Sequence, residues 1–134
     1  MILSAVRTPI GKFNGVLASL PAPKLGIVAA KEAIARARLH PNEVQEVFMG
    51  HVVTGGVGQA PARQVALGAG CPPETEATAI NKVCASGMKA VIFAAQSLQL
   101  GYRDVILAGG MERCDVPPFV DRPGQLTQTP AVCR

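Results

Sequence analysis

The stretch Thr78-Ala79-Ile80-Asn81-Lys82-Val83-Cys84-Ala85-Ser86-Gly87-Met88, continued as Lys89-Ala90-Val91-Ile92-Phe93-Ala94-Ala95-Gln96-Ser97-Leu98-Gln99-Leu100, changes its hydrophobic period half-way along. Residues 78–83 read as a short strand and residues 84–100 as a helix closed by Gly101. Apolar residues at Met88, Val91, Ile92, Phe93, Leu98 and Leu100, with Ala85, Ala90, Ala94 and Ala95, go most of the way round the helical wheel. A helix lying on the outside of a sheet needs only one apolar stripe, so this one is expected to be buried on more than one side. The strands of this chain can cover one face, and something else must cover the other.

Working outward, the same alternation recurs. Upstream, residues 2–6 read as a strand, residues 24–38 as a helix, residues 44–49 as a strand stopped by Gly50, and residues 62–69 as a short helix ended by Gly70. The first of these helices places Leu25, Val28, Ala29, Ala33 and Ile34 on its apolar face. Downstream, residues 104–108 read as a fourth strand running into Gly109-Gly110. Strands alternating with helices imply an α/β fold with a mainly parallel sheet and right-handed crossovers. The tail, residues 113–134, holds Pro117, Pro118, Pro123 and Pro130 without periodic apolar pattern, and loop or disorder is expected there. The domain organisation is thus residues 1–112 followed by that Pro-rich tail.

The 134 residues leave room for a single core. Apolar residues make up 49% and charged residues 16%, which excludes disorder and leaves little charge for covering a surface. The longest apolar run near a helix, residues 90–95, is too short to span a membrane. The thirteen Lys and Arg behind the net charge of +4 are scattered singly, so no nucleic-acid face is expected. The opening residues lack the pattern of a leader. Cys71, Cys84, Cys114 and Cys133 form no Cys-x-x-Cys pair and neither His40 nor His51 flanks one at ligand spacing, so no metal is expected. Four free thiols in a reducing, intracellular compartment, cytoplasmic or mitochondrial, are the expectation.

Cys84 stands where the third strand turns into the third helix, where unpaired backbone N–H groups and the helix dipole favour negative charge. Read locally, without any resemblance, a small buried residue at a tight turn is the favoured alternative. The stretch from Ile80 to Ala90 resembles the nucleophile motif of the thiolase family, especially the biosynthetic acetoacetyl-CoA type. Four further segments resemble the family in the same order: Ser4-Ala5-Val6-Arg7-Thr8-Pro9-Ile10-Gly11, Met49-Gly50-His51-Val52-Val53, Gly58-Gln59-Ala60-Pro61-Ala62-Arg63-Gln64 and Ala108-Gly109-Gly110-Met111-Glu112.

The resemblance implies the N-terminal half of a thiolase-like α/β fold, cut short in this chain. It implies Cys84 as the nucleophile that carries an acyl-thioester intermediate, with its backbone N–H as one oxyanion donor. The implied reaction condenses two acetyl-CoA to acetoacetyl-CoA, or runs the thiolysis in reverse, with coenzyme A thioesters as substrates and no separate cofactor. A homo-oligomer is implied for the complete protein. The family's base in a Gly-His-Pro motif, its second acid/base in a Cys-x-Gly motif, its Asn-Glu-Ala-Phe-like motif and its CoA-holding loop domain do not occur in these residues. The CoA-contacting residues are therefore expected to lie mostly elsewhere, and this chain alone is expected to be inactive. Two other readings compete: a non-catalytic piece that associates with full-length subunits, and a redox-sensing thiol at Cys84. His51 reads as a polar loop residue, His40 as a solvated helix-end residue and Cys71 as a half-buried turn residue. The runs Gly55-Gly56-Val57-Gly58 and Gly109-Gly110 lack the Lys-Ser/Thr of a phosphate loop and the spacing of a dinucleotide fingerprint; they read as turns, with a place near the active site left open for the second.

Overall fold

The computed structural model describes residues 1–114; the expected loop or disorder of the tail beyond them lies outside the described residues. Three parallel strands, β1 (Glu46–Gly50), β2 (Glu76–Ile80) and β3 (Ile106–Gly110), form a sheet in the order β2-β1-β3. Helices α1 (Ala22–Arg36), α2 (Pro61–Ala69) and α3 (Ser86–Gln99) accompany them, and a 3-10 turn at Pro41–Glu43 leads into β1. The chain runs from β1 through α2 to β2, then through α3 across to the far side of β1. The two helices lie on opposite faces of the sheet, α2 on the side of Val47 and Met49 and α3 on the side of Phe48 and Gly50, as right-handed crossovers in opposite directions require.

One face carries the core. Val47 and Met49 of β1 pack with Ala30 and Ile34 of α1 and with Ala62, Val65, Ala66 and Ala69 of α2, joined by Met111 and the partly buried Ala77 and Leu107. Alternate strand residues point to opposite faces, so Phe48 and Gly50 turn towards α3, where Phe48 meets Phe93 with ring centroids 6.1 Å apart. α3 seats itself with small residues, burying Ser86, Ala90 and Ala94. Its larger side chains are left outside: Met88 is 70% exposed, Val91 45%, Ile92 42% and Phe93 36%. The wide apolar surface expected of this helix is therefore present, and only one side of it is covered among the described residues.

Two expectations need correcting. Residues 2–6 form no strand. Ile2 and Leu3 are exposed, and the Ser4 hydroxyl donates to the Ala33 carbonyl of α1 at 2.7 Å, so the segment runs along the outside of a helix. An apolar run becomes a strand only when a sheet edge accepts its backbone groups, and here the segment pairs with none of the described strands. The face of α1 is also rotated from the one expected: Ala22, Gly26, Ala30 and Ile34 are buried while Val28 is 60% exposed. The reason is the close crossing of α1 and α2, where a Cβ on Gly26 would meet Val65 and one on Gly68 would overlap Ile27, which selects the smallest side chains for the contact.

Candidate active site

The three strands end level with one another, since Gly50 pairs with Ile80 on one side and with Gly110 on the other. Beyond this carboxyl edge lie His51, the turn carrying Cys84, and Glu112. The exits of β1 and β2 diverge to helices on opposite faces, and such a divergence opens a crevice where α/β proteins hold their ligands.

Cys84 lies two residues ahead of α3 and is an exposed, free thiol. The elbow that presents it is built from its neighbours. Val83 is held at φ +50°, a left-handed conformation that costs a β-branched residue on the order of 1–2 kcal/mol. The cost is offset by a closed set of hydrogen bonds. Asn81 Oδ1 accepts from the Val83 N–H at 3.0 Å, Ser86 Oγ accepts from the Lys82 N–H at 2.9 Å, and the Ser86 hydroxyl donates to the Val83 carbonyl at 2.6 Å. The Ala85 N–H donates to the Lys82 carbonyl at 3.1 Å, tightening the turn further. No side chain caps α3 from Ala85, and the buried Ser86 hydroxyl is spent on Lys82 and Val83 of the elbow.

Glycines let the helix come close to the sheet. A Cβ on Gly50 would overlap the backbone of Ser86 and Gly87, and one on Gly110 would stand 3.2 Å from Gly87 Cα. The first turn of α3 thus rests backbone to backbone on the ends of β1 and β3. This contact fixes where the elbow, and Cys84 on it, stands relative to the strand ends.

Around that seat lie two residues that no local sequence signal pairs, His51 and Glu112. His51, read as a polar loop residue, is fully buried: its backbone N–H donates to the Ile80 carbonyl at 2.9 Å, which draws the ring inward. Glu112 accepts from the Val52 N–H at 2.8 Å and the Val53 N–H at 3.1 Å, and its Oε1 stands 3.5 Å from His51 Nε2. A usable signal was present, because parallel strands bring their exits to one edge and Gly-His and Gly-Met-Glu each follow a strand there.

The other candidates fall elsewhere. His40 caps its own 3-10 turn, with Nδ1 accepting from the Asn42 N–H and Glu43 accepting from the His40 N–H. Cys71 is buried rather than half-buried, since its N–H returns to the Ala66 carbonyl and tucks it beneath α2; burial pushes its thiol up. Cys71 and Cys84 are free, but Cys114 is disulfide-bonded, so the expectation of four free thiols fails there. Spacing along the chain says nothing about which sulfurs meet in space. Arg63 and Gln64 organise loops. The Arg63 guanidinium donates to the carbonyls of Pro73 and Thr75 ahead of β2, and the Gln64 amide donates to those of Val57 and Gln59 at 2.8 Å. Among the described residues no group of three His, Cys, Asp or Glu side chains is placed to hold a metal ion, and no helix is long and apolar enough to cross a membrane.

Residues 1–124 match the family described as thiolase, N-terminal domain. The chain belongs to the thiolase family. Among its relatives this thiolase chain is 57% identical to the mitochondrial acetyl-CoA acetyltransferase of Danio rerio over 120 residues, covering 90% of this chain and 29% of the relative. It is 56% identical to the human mitochondrial acetyl-CoA acetyltransferase over the same length, covering 28% of that protein. Its fold superposes on the crystal structure of the Acat5 thiolase from Ascaris suum in complex with coenzyme A with a TM-score of 0.87 and 43% identity, covering 98% of this chain and 34% of the other. The thiolase chain therefore spans about a third or less of the length of the relatives it matches.

Proposed function

We propose that this chain is the nucleophile-bearing part of an acetyl-CoA acetyltransferase. The observation that carries the reading is Cys84, exposed on a strained elbow at the carboxyl edge of the sheet, immediately ahead of α3. In the proposed reaction the Cys84 sulfur attacks the carbonyl of acetyl-CoA, the bond to the CoA sulfur breaks, and CoA leaves as its thiol with the proton lost by Cys84. A second acetyl-CoA, deprotonated at its α-carbon, attacks the resulting thioester and releases acetoacetyl-CoA and the free cysteine. Thiolysis is the same sequence reversed. The first turn of α3 supplies N–H groups and a positive dipole end, and the Cys84 N–H serves as an oxyanion donor. Coenzyme A thioesters are substrates here, and no further cofactor takes part. The names of the acetyl-CoA acetyltransferase relatives support the substrate class, and their mitochondrial designation supports an intracellular site of action. A homo-oligomer is proposed for the complete protein.

The proposed base and second acid/base belong to motifs absent from these 134 residues, so the chain by itself is expected to turn over little or no substrate. The test is incubation of a full-length protein carrying this segment with radiolabelled acetyl-CoA, followed by peptide mapping. Label on the Cys84 peptide supports the reading, and label elsewhere, or full activity in Cys84→Ser, refutes it.

A second reading rests on a different observation, the exposed apolar side of α3 at Met88, Val91, Ile92 and Phe93. In it the 134-residue chain acts without catalysis by associating with complete thiolase subunits. Co-purification with such a subunit supports it, and a monomer that binds no apolar dye counts against it.

A further inference from the structure

Glu112 plays no part in the acyl transfer described above, yet its carboxylate gathers more donors beside the elbow than any single bond of the sheet requires. It lies one residue past Met111, whose N–H donates to the Gly50 carbonyl at 2.9 Å, so it is tied to the end of β1 as well as to β3. Its two oxygens divide the next segment between them, Oε2 taking the Val52 N–H and Oε1 the Val53 N–H, with the buried His51 Nε2 3.5 Å from Oε1. The imidazole is wholly enclosed, and neither ring nitrogen has a hydrogen-bond partner among the described residues. The amides of Val52 and Val53 are therefore held by one carboxylate, and through His51 they continue from Gly50, on which the backbone of Ser86 and Gly87 rests.

The geometry points to Glu112 as a positioning residue for the nucleophile: by clamping residues 52 and 53 it holds the end of β1 in place as the seat for the first turn of α3, the turn that follows Cys84. Its route to Cys84 runs through Gly50. Charge-assisted bonds of this kind are stronger than neutral ones, which suits a carboxylate for restraining two consecutive loop amides. The inference rests on Cys84 being the reactive thiol, but its test needs no acyl transfer.

The test is the pH profile of Cys84 alkylation by iodoacetamide in the 134-residue chain, read by peptide mass spectrometry, with Glu112→Gln compared against the unaltered chain. If Glu112 positions α3, the Gln variant moves the profile to higher pH and slows alkylation at neutral pH by about two- to fivefold, the size of a first-turn helix interaction with an anion. If the carboxylate merely repels the thiolate through space, its removal moves the profile to lower pH, and if it only supports the fold, the profile stays put while the melting temperature falls. Either of those results overturns the proposal. Should the variant fail to fold, amide exchange on the unaltered chain decides: Val52 and Val53 must open together with the first-turn amides of α3, and independent, faster exchange at 52 and 53 refutes the coupling. Acyl labelling that missed Cys84 would refute the proposed function while leaving these outcomes readable.

Discussion

Val83, immediately before the proposed nucleophile Cys84, is a β-branched residue held in a left-handed backbone conformation. A β-branched side chain at φ +50° raises the energy of the folded state, and glycine would adopt the same backbone without penalty. Val83→Gly is therefore expected to be neutral or to stabilise by up to about 1 kcal/mol in urea denaturation, the relief of strain less the extra unfolded-state entropy. A Val→Gly change at an unstrained position would destabilise. Gly50 sits at the opposite extreme. Any Cβ there overlaps the backbone of Ser86 and Gly87, which cannot rotate away, so Gly50→Ala should cost about 3 kcal/mol or more and disorder the elbow. A urea midpoint within error of the parent would show that the helix is not seated there. For Cys84 itself, Cys84→Ser in a full-length protein carrying this segment is expected to lower kcat/KM by about a thousandfold or more, measured by thiolysis of acetoacetyl-CoA. The sequence marked Cys84 plainly, because its motif is contiguous. It did not mark His51 or Glu112 as a pair, because 61 positions separate them and only the pairing of β1 with β3 brings them together.

At the scale of elements, α3 shows how much of a helix its own periodicity can disclose. The apolar wheel announced a helix with two apolar sides, and the structure seats one of them on the sheet through Ala90 and Ala94. Which side meets the sheet could not be read from hydrophobicity, since Val91 and Phe93 are more apolar than the alanines that are buried. Size decided it: the glycines at Gly50 and Gly110 bring backbone to backbone, and only small side chains fit between. Ala90→Leu should therefore destabilise by about 1–3 kcal/mol through overpacking, whereas Ile92→Lys, on the uncovered side, should change stability by no more than about 0.5 kcal/mol and reduce binding of an apolar dye. Reversed results would place the sheet against the other side of the helix. Residues 2–6 illustrate the converse. Their composition suits a strand, but a strand is a property of a pair, and the described sheet edge does not reach them.

Across the whole molecule, the two ends of the sheet differ in what they carry: Cys84, His51 and Glu112 lie beyond the carboxyl edge, and a carboxylate pair bridged by an arginine marks the amino edge. The amino edge carries Glu46 and Glu76 directly opposite one another on β1 and β2, bridged by Arg103, whose Nη2 lies 2.8 Å from Glu76 Oε1 and whose Nε lies 3.6 Å from Glu46 Oε2. Burial pushes the Glu46 carboxyl above its ordinary value of 4.5, the Arg103 guanidinium pulls it back, and Glu76 pushes it up again. A carboxyl whose folded value is raised favours folding while protonated, so its contribution is complete below about pH 4.5 and is lost as the pH rises through the folded value. Relative to Glu46→Gln, the parent chain should accordingly gain stability as the pH falls from 7 towards 4.5, measured by denaturant titration at several pH values. A difference that stays constant or grows towards neutral pH would contradict the assignment.

The sequence by itself determined the α/β alternation, the helix boundaries to within a few residues, the tight turn at Cys84 and the family resemblance. All of these are local: periodicity, turn residues and contiguous motifs depend on neighbours along the chain. Tertiary structure alone decided the order β2-β1-β3, the side of α3 that is covered, the loss of the first expected strand and the enclosure of His51 beside Glu112. Each of these depends on which distant segments pack together, and packing is settled by shape and by the pairing of backbone groups, neither of which leaves a periodic mark on the chain.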